Sequence, residues 1–160
     1  MTTVGSYWMV TLTLLGSLLL AVFPISPPYD WLRPEWTAMV VIFWTITLPD
    51  RIGVTYAWLA GLVLDGFTGV TLGQNALSLA IIAYICNALY QRMQHFAVLQ
   101  QAAMVFVLVG LHLLVGYWVQ SLSSVSTRNL SFLAGAFSSA LLWPFFSLVL
   151  HYVYRSFQRR

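Results

Sequence analysis

The sequence predicts an all-α integral membrane protein of about six transmembrane helices, and three observations carry that reading. Of its 160 residues 60% are apolar and only 7% are charged, where a soluble domain carries about 25% charge. That leaves too little polar material to coat a water-facing globule. The apolar residues also fall into six runs divided by polar or Pro/Gly punctuation, at residues 7–23, 35–48, 52–65, 74–90, 98–120 and 131–154. Finally, the alternating strands of about ten residues that a barrel requires are absent. Away from water, backbone groups must bond within their own segment, so these runs are expected to be helices.

The first run, in "MTTVGSYWMVTLTLLGSLLLAVF", lacks a basic leading region and a small-x-small cleavage site, and its apolar core is long. It reads as an uncleaved first span rather than a signal peptide. The next stretch, "FPISPPYDWLRPEW", holds four prolines that stiffen it and remove backbone donors. Its Trp31 and Trp36 suit the interfacial aromatic belt.

The second and third runs are short. At about 1.5 Å per residue, each would span roughly 21 Å against a hydrocarbon core of about 30 Å. The tip between them, "LPDR", carries Asp50 and Arg51. Leaving those charges at mid-depth costs several kcal/mol, which favours two short crossings over a re-entrant hairpin. In the fourth run Cys86 is the lone cysteine, so no intrachain disulfide forms, and it reads as a small buried hydrophobe. The fifth run carries His112 near its middle. The polar loop "SLSSVSTRN" follows, and the sixth run contains "LLWPFF", where Pro144 is expected to kink the helix. No internal repeat is visible, and no loop is long enough to fold alone. The whole chain reads as a single polytopic domain.

Charge bias gives the orientation. With both termini cytoplasmic, Arg51, Arg92, Arg155, Arg159 and Arg160 lie inside, and only Arg33 and Arg128 lie outside. The terminal arginines can bind anionic headgroups at about 1 kcal/mol each, anchor the topology, or dock a cytoplasmic protein. A net charge of +3, spread thinly, excludes a nucleic-acid surface.

Nothing in the chain suggests catalysis, a cofactor or a metal. There is no HExxH, no GxSxG and no paired-carboxylate motif. The carboxylates expected to face the interior, Asp50 and Asp65, fall on opposite sides, out of reach of one substrate. A relay or haem role for His112 would need a second group at matching depth. His95 lies in a loop, His151 near the cytoplasmic end, and Asp65 is the other ionisable candidate. His112 therefore reads as a neutral ring bonded to a neighbouring helix.

Asp65 stands among Gly66, Gly69 and Gly73 in "LDGFTGVTLGQNAL". One reading is local: the carboxylate bonds backbone donors of the turn into the fourth run, and the glycines supply turn conformations and close helix approach. The other is functional: a buried polar anchor for a partner helix or ligand.

Taken in order, "RPEW", "LPDRIGV" and "GLVLDGFTGVTLGQNALSLAIIAY" resemble the bacterial rod shape-determining MreD family. The matching series is Arg33, Pro34, Trp36, Pro49, Arg51, Gly61, Asp65, Gly69, Leu72, Gly73 and Tyr84, with "LLWPFF" similar to the family's last helix. The specific match covers about residues 33–84 and 141–146. The resemblance implies a six-helix, multi-pass subunit of the bacterial inner membrane, within the elongation machinery of the cell wall. It also implies a non-enzymatic scaffold associated most closely with MreC, in an assembly with MreB, RodA and a class B penicillin-binding protein that organises peptidoglycan synthesis. Its fold would be similar to the S components of energy-coupling-factor vitamin transporters. On that footing the pair of third and fourth helices, with the Arg33–Trp36 lead-in, is expected to shape the surface on which the single span of MreC docks. The alternative is an S-component-like small-molecule-binding subunit with an outward pocket lined by Asp65, Gln74 and Asn75.

Overall fold

The computed structural model describes residues 3–23, 32–122 and 132–158. Trp31, Arg128, Arg159 and Arg160 lie outside them. Six helices run in order: α1 (Thr3–Val22), α2 (Trp36–Thr47), α3 (Val54–Thr68), α4 (Gln74–Met93), α5 (Val98–Leu122) and α6 (Phe132–Gln158). There is no strand among the described residues. The helices α4, α5 and most of α6 (Leu133–Ser156) are long and apolar enough to cross a bilayer, while the apolar part of α1, α2 and α3 are shorter.

The short helices differ in their surroundings. The α2 sequence, WTAMVVIFWTIT, is apolar on every side, and Thr37 through Ile46 are all buried. A helix of that kind belongs inside a bundle, and α2 packs against α1, α4, α5 and α6. Met39, Ile42 and Trp44 are among the largest fully buried side chains, beside Leu79 and Ile82 of α4, Leu108 of α5 and Trp143 of α6. Trp44 also donates its indole N–H to Thr13 Oγ1 of α1 at 2.8 Å. Cys86 is wholly buried in this core, as a small hydrophobe should be. In contrast α3 is peripheral: it packs on α4 and, more lightly, on α1.

The contacts of α2 and α3 define two ends of the bundle. The backbone N–H of Glu35, just before α2, donates to Ser139 of α6, while Ile46 O near its other end accepts from Gln94 beyond α4. The α3 helix starts beside α1, where Tyr56 and Thr11 share a hydrogen bond of 3.2 Å, and finishes against the start of α4. One end thus gathers Arg33, Glu35, Asp65, Gly116 and Ser139; the other gathers Arg51, Arg92, His151 and Arg155. We call them the Asp65 end and the arginine end.

The helix α3 overruns its expected stop. The third apolar run ends at Asp65 in the sequence, yet the helix continues to Thr68. The carboxylate is satisfied internally, so nothing forces the chain to turn there. The stop comes at Gly69, which takes φ +66° and donates its N–H to Asp65 O at 3.0 Å, a left-handed C-terminal cap. Pro144 lies inside α6, which runs on through it as one helix.

Candidate functional site

The motif residues at the Asp65 end form a polar knot. Asp65 is 1% exposed and accepts three backbone hydrogen bonds from the next helix start. Gly73 N–H donates to Oδ2 at 2.8 Å, Asn75 N–H to Oδ1 at 2.9 Å, and Ala76 N–H to Oδ2 at 3.4 Å. The first N–H groups of a helix have no partner within it and carry partial positive charge. Asp65 supplies both the acceptors and the negative charge from the neighbouring helix. It therefore fulfils the local reading, with three of its about four lone-pair sites filled.

The glycines divide their tasks differently from the expectation. Gly69 and Gly73 adopt positive φ, at +66° and +97°, with open space around them. Theirs is a conformational role in the turn, not one of close approach. Close approach belongs to Gly61, one turn before Asp65: a Cβ there would stand 2.5 Å from Ala76 N and 2.7 Å from Asn75 C. The bare backbone at Gly61 lets the α4 start come down onto Asp65. Gly66 is exposed and meets nothing within 4 Å.

The lead-in to α2 closes the other side of the knot. Arg33 donates to Leu20 O at 3.0 Å, placing a cation on the last turn of α1. Gly135 of α6 lies so near that a Cβ there would be 3.2 Å from Arg33 O. Ser139 of α6 accepts the Glu35 N–H at 2.9 Å and donates to Gly135 O at 2.7 Å. Trp36, expected in an interfacial belt, is half-buried and packs on the ring of Phe146 at 6.0 Å between centroids.

His112 joins the two halves. Its Nδ1 and Ser78 Oγ of α4 share a hydrogen bond of 2.7 Å, as expected of a ring bonded to a neighbouring helix. Its Nε2 lies 3.8 Å from Glu35 Oε2, which corrects one expectation. Asp65 is not the only carboxylate near His112, and Asp50 is exposed at the arginine end while Glu35 turns inward. In the sequence Glu35 adjoins Arg33 and Pro34 in what reads as a water-facing loop. The signals for it were faint: a serine in the apolar α4, and Gly135 with Ser139 one turn apart on α6. The matching series does not converge on one place, however. Pro49 and Arg51 sit in the turn at the arginine end, and Leu72 and Tyr84 point outward, 76% and 67% exposed.

This pattern of two lead-ins locked at one end can be set beside known proteins. The profile of the family described as "rod shape-determining protein MreD" matches residues 1–153. The chain belongs to that family. A relative from Haemophilus influenzae, named "Rod shape-determining protein MreD", is 28% identical over 136 residues, covering 85% of this chain and 83% of that protein. No solved structure matches. Membership in the MreD family carries a rod shape-determining role, and the apolar helices make the chain a membrane protein.

Within the knot His112 is a structural member. Substituting His112→Leu should cost about 1–3 kcal/mol, the usual penalty for breaking a buried polar contact, while leaving rod-shape complementation intact. Thermal melting in detergent, with complementation in a depleted host, checks both halves of that expectation.

Proposed function

We propose that this MreD family member is a non-enzymatic scaffold of the bacterial inner membrane that binds MreC. Through MreC it takes part in the assembly of MreB, RodA and a class B penicillin-binding protein, and so helps organise peptidoglycan synthesis. Arg51, Arg92 and Arg155 share one end of the bundle, which supports a multi-pass topology with that end cytoplasmic. The S-component-like alternative is weakened at its charged anchor, since Asp65 is already occupied by three backbone donors.

The single observation behind the docking part is the outer face of α3. Its inner face (Ala57, Ala60, Gly61, Leu64 and Asp65) is buried on α4, and its outer face presents Leu59, Val63, Gly66 and Phe67. Its 15 residues reach about 22 Å, so lipid on that side must thin to meet it, at fractions of a kcal/mol per Å. A partner helix laid along α3 relieves that mismatch, and Gly66 gives it a notch for close contact.

Gly66→Leu tests docking apart from folding, because Gly66 is exposed and a Cβ added there meets nothing within 4 Å. The variant should accumulate normally in membranes and lose most of its co-purification with MreC. Undiminished co-purification would rule out α3 as the docking face. Depletion in the host tests the wider role: rods should round over several generations while the other elongation proteins are still made. Cells that stay rod-shaped but grow only with an added vitamin would instead revive the transporter alternative.

A further inference from the structure

At the arginine end a cavity of about 190 Å³ opens between the last turn of α2, the α4–α5 turn and α6. That is room for about six waters at ~30 Å³ each, or for a headgroup of a few heavy atoms. Its apolar walls include the rings of Phe43 and Trp143, and its polar lining contains neither a carboxylate nor an arginine.

The hydrogen bonds of that lining leave an uneven remainder. Gln101 spends both amide hydrogens on Met93 O and Phe96 O, at 3.2 and 3.3 Å, and its carbonyl accepts from Trp143 Nε1. Thr47 donates to Phe43 O at 2.8 Å. His151 Nδ1 lies 2.8 Å from Ser147 O, and because a carbonyl can only accept, Nδ1 carries a hydrogen. In that tautomer Nε2 carries the acceptor lone pair. Gln94 gives one amide hydrogen to Ile46 O at 2.9 Å. What remains open is one amide hydrogen against four acceptor atoms: Gln94 Oε1, His151 Nε2, Thr47 Oγ1 and the second lone pair of Gln101 Oε1. The C-terminal end of α2 adds partial negative charge.

We propose that this cavity binds the primary ammonium of a phosphoethanolamine headgroup, contributed by phosphatidylethanolamine of the surrounding bilayer. An ammonium brings three donors to a lining with more open acceptors than donors. With no carboxylate in the lining, a hard metal ion would find too few ligands to replace its water, whereas this ammonium carries its own phosphate as counter-charge. Arg155, one turn beyond His151 on the same face of α6, is placed to meet that phosphate. Leu148 and Tyr152 flank His151 along α6 and are exposed, offering the acyl chains an apolar surface that a soluble amine would not use.

The purified full-length protein is mixed with equal amounts of phosphatidylethanolamine, phosphatidylcholine and phosphatidylglycerol, and retained lipid is read by native mass spectrometry. Phosphatidylcholine, whose quaternary ammonium has no N–H, is the sharpest control. Phosphatidylethanolamine should be retained about fivefold over either competitor. His151→Phe keeps a ring beside Phe43 but removes the acceptor, and should reduce the preference to below about twofold. Thr47→Val should weaken it too, and decides the matter if His151→Phe does not fold. Equal retention of the three lipids, or an undiminished preference in the folded variants, would overturn the proposal. So would displacement of the lipid by soluble O-phosphoethanolamine at millimolar concentration, which would assign the cavity to a free metabolite.

Discussion

Gly61→Leu should remove the folded protein from the membrane. Even the first carbon of the new side chain would fall 2.5 Å from Ala76 N, against backbone that cannot rotate away. Overpacking a tolerant core costs about 1–3 kcal/mol, and this site is not tolerant. The α4 start must retreat from α3, and the retreat also carries Gly73, Asn75 and Ala76 away from Asp65. Gly61→Ala is expected to show the same effect in milder form, with a lower melting temperature and reduced accumulation. Quantitative immunoblotting of membranes, with melting of whatever is purified, reads both. Normal accumulation of Gly61→Leu would mean that the α3–α4 contact is looser than its geometry states.

Asp65→Ala is the second large effect. It leaves Gly73, Asn75 and Ala76 N–H without acceptors in a buried place, at about 1–3 kcal/mol for each buried donor left unsatisfied. The sum is less than three times that, since Ala76 bonds at a long 3.4 Å and the bonds share one carboxylate. A loss of about 3–5 kcal/mol is expected. Asp65→Asn separates charge from acceptor count. Its carbonyl keeps either the Asn75 bond or the pair from Gly73 and Ala76, and its NH₂ then faces N–H groups it cannot accept from. It should fall between wild type and Asp65→Ala. If Asp65→Asn melts with wild type, the carboxylate charge contributes nothing at the helix start. If it accumulates normally but loses MreC, Asp65 has a docking role beyond its cap.

The fold was legible where the signal is cumulative. Each apolar run of the sequence corresponds to a helix, because a membrane permits few other ways to satisfy backbone bonds. The shortness of α2 and α3 was equally legible. Their difference was not: hydropathy cannot separate an apolar helix shielded by protein from one facing lipid. At the site, Asp65 could be read because a carboxylate just before a glycine-rich turn has few things to bond except the next helix start. The work of Gly61 could not, since a glycine in a helix does not declare what lies opposite it. Glu35 and His112 are 77 positions apart in the numbering, and only the packing of α2 on α5 brings them near. No local pattern encodes that meeting.

The pinning of α2 has a further consequence. Its beginning is tied to α6 through the Glu35 N–H and Ser139, and its last turn to the α4–α5 turn through Ile46 O and Gln94. Between those ties the helix works as a gauge block about 18 Å long, from 12 residues at about 1.5 Å each. One residue inserted within it would lengthen the block by about 1.5 Å and swing everything beyond through about 100°, so the two ties could not both be kept. The spacing between those two ties is therefore set by the chain and not by the surrounding lipid. A change in bilayer thickness leaves that inner spacing alone and has to be met around it, where the other helices face lipid.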